Sequence, residues 1–282
     1  EIKFWLLSVN FSKFILYFNE KKNIFTSIHF ILFLFMKKNK PLSGTIVLDL
    51  TQVLSGPFAT QILSDLGAKI VKVEKPEGDD SRKFGPLKNN KSGYFLSLNR
   101  GKKSIKLNLK NDCDKKIFLS LVKSSDVLVE NFSFGILDKL GFSWKKLKEI
   151  NSKLIYAKIS GFGSNGPLKK YPAYDVIVQA MGGIMGITGN INKIARVGTS
   201  IGDIVAGLYC VIAILSAIIE RNKSGIAKKI DISMLDCQVA ILENAITRFS
   251  VTKKNPKPLG TDHPSIAPFG AFKTMDSQIV IA

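Results

Sequence analysis

The residue best placed for chemistry is the aspartate closing Val197-Gly-Thr-Ser-Ile-Gly-Asp203, directly before a long apolar run. A carboxylate at the start of a helix is held ionised by the helix dipole and the free backbone N–H groups. An ionised carboxylate can act as a nucleophile. The same placement also describes a plain helix cap, the commoner role of aspartate there, and on the residues alone the cap is favoured. Leu98-Asn-Arg-Gly-Lys-Lys-Ser104 reads as a short basic turn that could hold a phosphate-bearing group or be an ordinary solvated loop. Val129-Glu-Asn-Phe132 ends an apolar run where parallel sheets bind ligands, although Asn131 could equally cap the next helix. Gly161-Phe-Gly-Ser-Asn-Gly-Pro167 is a glycine-rich loop that could line a cleft. Tyr171-Pro-Ala-Tyr-Asp175 leads into an apolar stretch that Met181-Gly-Gly183 breaks.

The elements that must position these residues follow from periodicity. A β-branched run predicts a strand over 45–50, and Ser55-Gly-Pro57 opens a helix with apolar residues at helical spacing that stops at Gly67. A second strand follows over 69–74. Strand, helix and strand in so short a span form a βαβ unit with a parallel sheet. The alternation continues with a helix near 112–123, a strand over 126–130, helices near 134–149 and a strand over 154–159. Two apolar helices are expected over 204–219 and 234–246. The fold class is therefore α/β, a Rossmann-like doubly wound parallel sheet.

Composition removes several functions. The chain has 282 residues, 45% hydrophobic and 22% charged, which suits a globular fold with a sizeable core. Three cysteines without a C-x-x-C pair exclude a disulfide scaffold and argue against zinc, and two histidines exclude multi-histidine metal sites. No metal site is expected. The net charge of +19 comes from 41 basic residues of which only five are arginine. Base readout and phosphate forks favour arginine. Lys, Asn, Ile and Phe rise together, which fits A/T-rich codons, and no nucleic-acid partner is expected. The first βα turn, Leu50-Thr-Gln-Val-Leu-Ser-Gly-Pro57, lacks G-x-G-x-x-G, which removes a nicotinamide dehydrogenase with Glu74 on the ribose.

Six collinear stretches together carry a resemblance: Gly44-Thr-Ile-Val-Leu-Asp49, Ser55-Gly-Pro57, Leu66-Gly-Ala-Lys-Ile-Val-Lys-Val-Glu74, Val129-Glu-Asn-Phe132, Tyr174-Asp-Val-Ile-Val-Gln179 and Gly202-Asp203. From about Pro41 onward the sequence resembles the class III CoA-transferases, with α-methylacyl-CoA racemase as an offshoot. The resemblance implies transfer of CoA from an acyl-CoA donor to an acceptor carboxylic acid through mixed-anhydride and aspartyl-CoA thioester intermediates. Asp203 then stands as the nucleophile and Asp175 as its rival. CoA is a substrate, and no permanently bound cofactor is implied. Leu54 and Ser55 match positions near the pantetheine, and the family often has Gln at the Leu54 place. Lys75, Asn99, Arg100, Gly101 and Lys102 match the surroundings of the CoA nucleotide. Asn131, Phe132 and Ser133 match the adenine and ribose end, and Lys139 stands where arginine is common. Pro172, Ala173, Tyr174 and Asp175 match a further CoA-lining segment. Racemases of this fold carry a histidine at the Tyr174 place, so racemase chemistry is the alternative.

The resemblance also implies architecture: an interlocked homodimer, with a large CoA-binding domain over 41–233, a linker helix and loop over 234–259, and the start of a smaller domain over 260–282. The family continues well beyond residue 282, so the sequence reads as a fragment. Residues 1–40 form an atypical extension, with 1–35 read as translated upstream sequence or an added segment before a start at Met36. Its longest apolar stretch, 24–35, is shorter than the ~20 residues of a bilayer span, and no cleavage site follows. A cytoplasmic protein without membrane attachment is expected.

Overall fold

The computed structural model describes residues 4–6 and 40–282, so most of the atypical extension over 1–40 lies outside the described residues. Two compact units are present. One takes 40–182 and 198–241 of the described residues, the other 183–197 and 242–282 with the strand Phe4–Leu6.

The first unit is built on six strands: β1 Ile46–Asp49, β2 Lys69–Glu74, β3 Lys103–Lys106, β4 Val127–Glu130, β5 Ile155–Ser160 and β6 Lys228–Ser233. All neighbours are parallel, in the order β3-β2-β1-β4-β5-β6. That order reverses direction between β1 and β4, the crevice where doubly wound sheets take their ligands. Side chains alternate across the sheet. Val47, Val127, Val129, Ile155 and Ala157 face one core with helices α1 Ser55–Asp65 and α6 Ile201–Ser224. Leu48, Leu128 and Tyr156 face a second core with α3 Asp112–Lys123 and α4 Trp144–Ile150, where Phe118 and Phe142 meet edge to face at 4.6 Å. The unit also holds α2 Gly93–Asn99, α5 Asp175–Met181, α7 Met234–Ala240 and a single helical turn over Ile136–Lys139.

Helix α6 is longer than its apolar run suggests and is, among the described residues, the one helix long and apolar enough to cross a membrane. Half of its apolar window is buried, and it packs closely on α1. The crossing needs Gly207, because a Cβ there would stand 2.8 Å from the Ser55 carbonyl oxygen and 3.0 Å from the Phe58 ring. The single helix expected over 234–246 is two, α7 and α8 Glu243–Thr252, with Glu243 at φ 27° opening the second. The second unit holds α8, a hairpin of Gly189–Asn190 with Lys193–Ile194, and an antiparallel sheet in which Gln278–Ile281 lies between Phe4–Leu6 and Gly270–Lys273.

Candidate active site

The crevice between β1 and β4 opens into a cleft of about 340 Å³ at the carboxyl ends of the strands. Residues 52–55 after β1, 131–134 after β4, 159–161 at the end of β5 and 171–174 before α5 line it, with Asp80, Lys169, Met234 and Asp203. Leu54, Ser55, Asn131, Phe132, Ser133, Pro172, Ala173 and Tyr174, separate in sequence, are thus brought together with Asp203.

Asp203 occupies the first turn of α6, whose cap residue Ser200 makes no side-chain bond to the helix. Asp175 performs the capping from a distance. Its Oδ1 accepts the Gly202 N–H at 2.9 Å, and its Oδ2 accepts the Gln179 amide N–H at 2.8 Å. Gly202 is required for that approach, since a Cβ there would lie 2.5 Å from Val178 Cγ2 and 3.2 Å from Asp175 Oδ1. Both Asp175 carboxylate oxygens are thus engaged, and the residue is only 7% exposed.

The surroundings of Asp203 set its acidity. Burial pushes the Asp203 carboxyl up, the Asp175 charge adds to this, and the Ser55 hydroxyl bonded to it pulls the other way, leaving a pKa of about 6. Tyr94 on α2 is also near, and burial with the charges of Asp203 and Asp79 raises its phenol to about 12. Asp203 is therefore ionised at neutral pH but more basic than an ordinary aspartate. A more basic carboxylate is a better nucleophile, and acylation would relieve the repulsion from Asp175.

The Val-Glu-Asn-Phe stretch has a physical account. Buried Glu130 accepts the Phe132 N–H at 2.6 Å and the Tyr156 hydroxyl proton at 2.7 Å, with Lys158 at 3.4 Å. Burial raises the Glu130 pKa against these partners. Asn131 caps no helix. It bridges to the loop after β1, accepting the Gln52 N–H at 2.8 Å and donating to the Gln52 carbonyl at 2.9 Å. Its amide also reaches Ser55 Oγ at 3.4 Å.

The residues matched to the CoA nucleotide divide. Lys75 lines a smaller recess of about 190 Å³ that shares Gln52 and Phe132 with the main cleft. Its ammonium sits 2.7 Å from Asp80, an exposed pair of little strength that a phosphate can displace. Lys139 is exposed on a helical turn, Ile136–Lys139, and Ile136 and Leu140 of this region line the same recess. The segment 99–102 enters neither recess. Gly101 stands at φ 75° in the turn after α2. Arg100 pairs with Asp65 at 2.6 Å, and the Asn99 amide donates to the Phe95 carbonyl at 2.9 Å. The Lys102 side chain is 1% exposed, and its ammonium lies 3.1 Å from Asp49 Oδ2 and donates to Pro57 O, Thr60 Oγ1 and Asn99 Oδ1. Burial lowers its pKa to about 8, against the pull of Asp49. That lysine is a strut between β1, α1 and α2. A phosphate could reach it only by breaking those bonds.

Sequence reasoning missed Gln52, Asp80, Phe134 and Lys169, all of which line the cleft. Lys169 is the one cation among the described lining residues and pairs with no carboxylate among them, and its ammonium lies 5.5 Å from the Phe134 ring. The spacing of Phe132 and Phe134 on one turn was the available signal for the second aromatic.

Comparison with known proteins gives a consistent result. The family model of CoA-transferase family III matches residues 42–282. Acetyl-CoA:oxalate CoA-transferase of Acetobacter aceti is 48% identical over 248 residues, 87% of this chain and 64% of that protein. Human succinyl-CoA:glutarate CoA-transferase is 42% identical over 249 residues, 87% of this chain and 57% of that protein. A crystal structure of a CAIB/BAIF family protein from Brucella suis superposes with a TM-score of 0.83 at 41% identity, covering 87% of this chain and 66% of that one. The chain thus spans between half and two thirds of the length of these curated relatives.

Proposed function

Because the chain belongs to CoA-transferase family III, we propose that its cleft moves CoA from an acyl-CoA thioester to an acceptor carboxylate, with Asp203 as the covalent nucleophile. An Asp203 oxygen attacks the thioester carbonyl, the C–S bond breaks, and an aspartyl-acyl anhydride and CoA thiolate form. The thiolate then attacks the aspartyl carbonyl of the anhydride, expelling the donor acid and leaving an aspartyl-CoA thioester. The acceptor carboxylate attacks that thioester to give a second anhydride and free thiolate. Attack of the thiolate on the acceptor's acyl carbon restores Asp203 and releases the new acyl-CoA. No metal or redox group enters this balance.

The observation that carries the reading is Asp203 on the cleft wall, made basic by burial and by a neighbouring aspartate that is itself fully engaged. In support, Asn131 and Ser55 fix the turn beside it. Replacement of Asp203 by Asn keeps the shape and removes the nucleophile. Transfer should stop while acyl-CoA still binds, and a variant with near-normal turnover would overturn the assignment.

For the acid, the relatives named above act on oxalate and on glutarate, both dicarboxylic. The half-buried Lys169 on the same wall is a charge of the right sign for a second carboxylate. We infer that the acceptor is a short dicarboxylic acid and that two copies of the chain assemble as the working enzyme.

A further inference from the structure

The loop from β1 to α1 is held against its own conformational preference. Val53 stands at φ 66°, in the left-handed region that a β-branched side chain rarely enters. Such a conformation persists only where surrounding groups over-determine it. Here successive backbone groups are each met by a side chain. Asp49 accepts the Thr51 N–H at 2.9 Å, and Lys72 donates to the Thr51 carbonyl at 2.6 Å. Asn131 takes both sides of Gln52, and Asp79 Oδ1 accepts the Val53 N–H at 3.3 Å. Lys72 Nζ and Asp79 Oδ2 are 3.0 Å apart, with side-chain exposures of 1% and 0%. Asp79 is fixed in turn by the Ser81 N–H and hydroxyl at 2.9 and 2.7 Å, and its own N–H donates to Glu74 at 2.9 Å.

Neither Lys72 nor Asp79 lines the cleft. A buried ion pair is a poor way to gain stability, because desolvation offsets the attraction. Its use here is geometric. We propose that the Lys72–Asp79 pair is a positioning device for the reaction, holding Val53 left-handed so that the following residues bring the Ser55 hydroxyl onto Asp203. The proposal rests on the reading of Asp203 as the nucleophile. The groups facing Asp203 are Asp175 from α5, Ser55 from α1 and Tyr94 from α2. Of these, Ser55 is the one delivered by the clamped loop.

The test is a set of variants in the full chain, assayed for transfer from succinyl-CoA as a function of pH. Proline cannot adopt a positive φ, whereas glycine adopts it freely. Val53→Pro should lower kcat by about thirtyfold or more relative to Val53→Gly, a misplacement effect. Asp79→Asn should lower kcat at least about tenfold with a smaller change in KM, and adding Val53→Gly should restore most of it, since glycine needs no clamp. The acid limb of kcat should move upward in Val53→Pro and Asp79→Asn, because the Ser55 bond that favours ionised Asp203 is lost, and should return in the double variant. Circular dichroism and CoA binding report folding. If Asp79→Asn does not fold, the Pro and Gly pair at position 53 decides alone. Normal kcat and pH profile in Val53→Pro, or a double variant no better than Asp79→Asn, would overturn the proposal. Transfer by Asp203→Asn would instead overturn the nucleophile on which it rests.

Discussion

Removing the Asp203 charge should make the protein more stable as it becomes inactive. The carboxyl is raised from 3.8 to about 6, first by burial and then by Asp175, so keeping it ionised costs the folded state free energy. At about 1.4 kcal/mol per pKa unit this cost is about 3 kcal/mol at most. Asp203 is only half-buried, and solvent screening trims it to about 1–2 kcal/mol. The sign follows from proton binding. Between pH 3.8 and about 6 the folded state holds the proton that the unfolded state releases, so this carboxylate's contribution to stability falls as pH rises through that window and is flat above it. Asp203→Asn lacks this penalty and can still accept the Ser55 hydroxyl proton. Urea unfolding of both proteins should therefore show no difference near pH 4 and an Asn advantage of about 1–2 kcal/mol at pH 7 and above. An Asn variant less stable than wild type at neutral pH, or a difference independent of pH, would refute the electrostatic reading of the site.

Three further outcomes are expected. Gly202→Ala places a methyl 2.5 Å from Val178 and 3.2 Å from the capping oxygen of Asp175, so kcat should fall about tenfold or more with KM changed less, in steady-state assays. Lys169→Met should raise the KM for dicarboxylic acceptors by about tenfold and leave monocarboxylic ones unchanged, the worth of one charge-assisted contact in competition kinetics. No solvent deuterium should enter the α-carbon of a 2-methylacyl-CoA, because Tyr174, 77% exposed at the cleft, stands where racemases of this fold carry their histidine base. Exchange at a catalytic rate would favour the racemase alternative.

The parts of the fold legible in the sequence are those whose cause is local. β1, β2, β4 and β5 carry apolar runs because both faces are covered, and the α3 bounds coincide with its apolar period. The edge strands β3 and β6 were not legible: Lys-Ser-Ile-Lys and Lys-Lys-Ile-Asp-Ile-Ser alternate with lysines that the open edge tolerates. Lys102 looked solvated because its partners Asp49, Pro57 and Thr60 lie more than forty positions away. For the same reason, Gly202-Asp203 could be matched to a family motif, but why glycine must precede the aspartate needed the approach of Asp175 from 27 residues upstream. Val53 gave no signal, since nothing in a valine foretells a left-handed backbone.

The most direct test of the account is to trap the enzyme-bound intermediate. The full-length protein is mixed with succinyl-CoA, quenched in acid, digested and read by mass spectrometry, with and without hydroxylamine. The account predicts a CoA adduct on the peptide containing Asp203, converted by hydroxylamine to a hydroxamate at that residue and absent from Asp203→Asn. An adduct on Asp175 or another carboxylate, or steady transfer without any adduct, would contradict it.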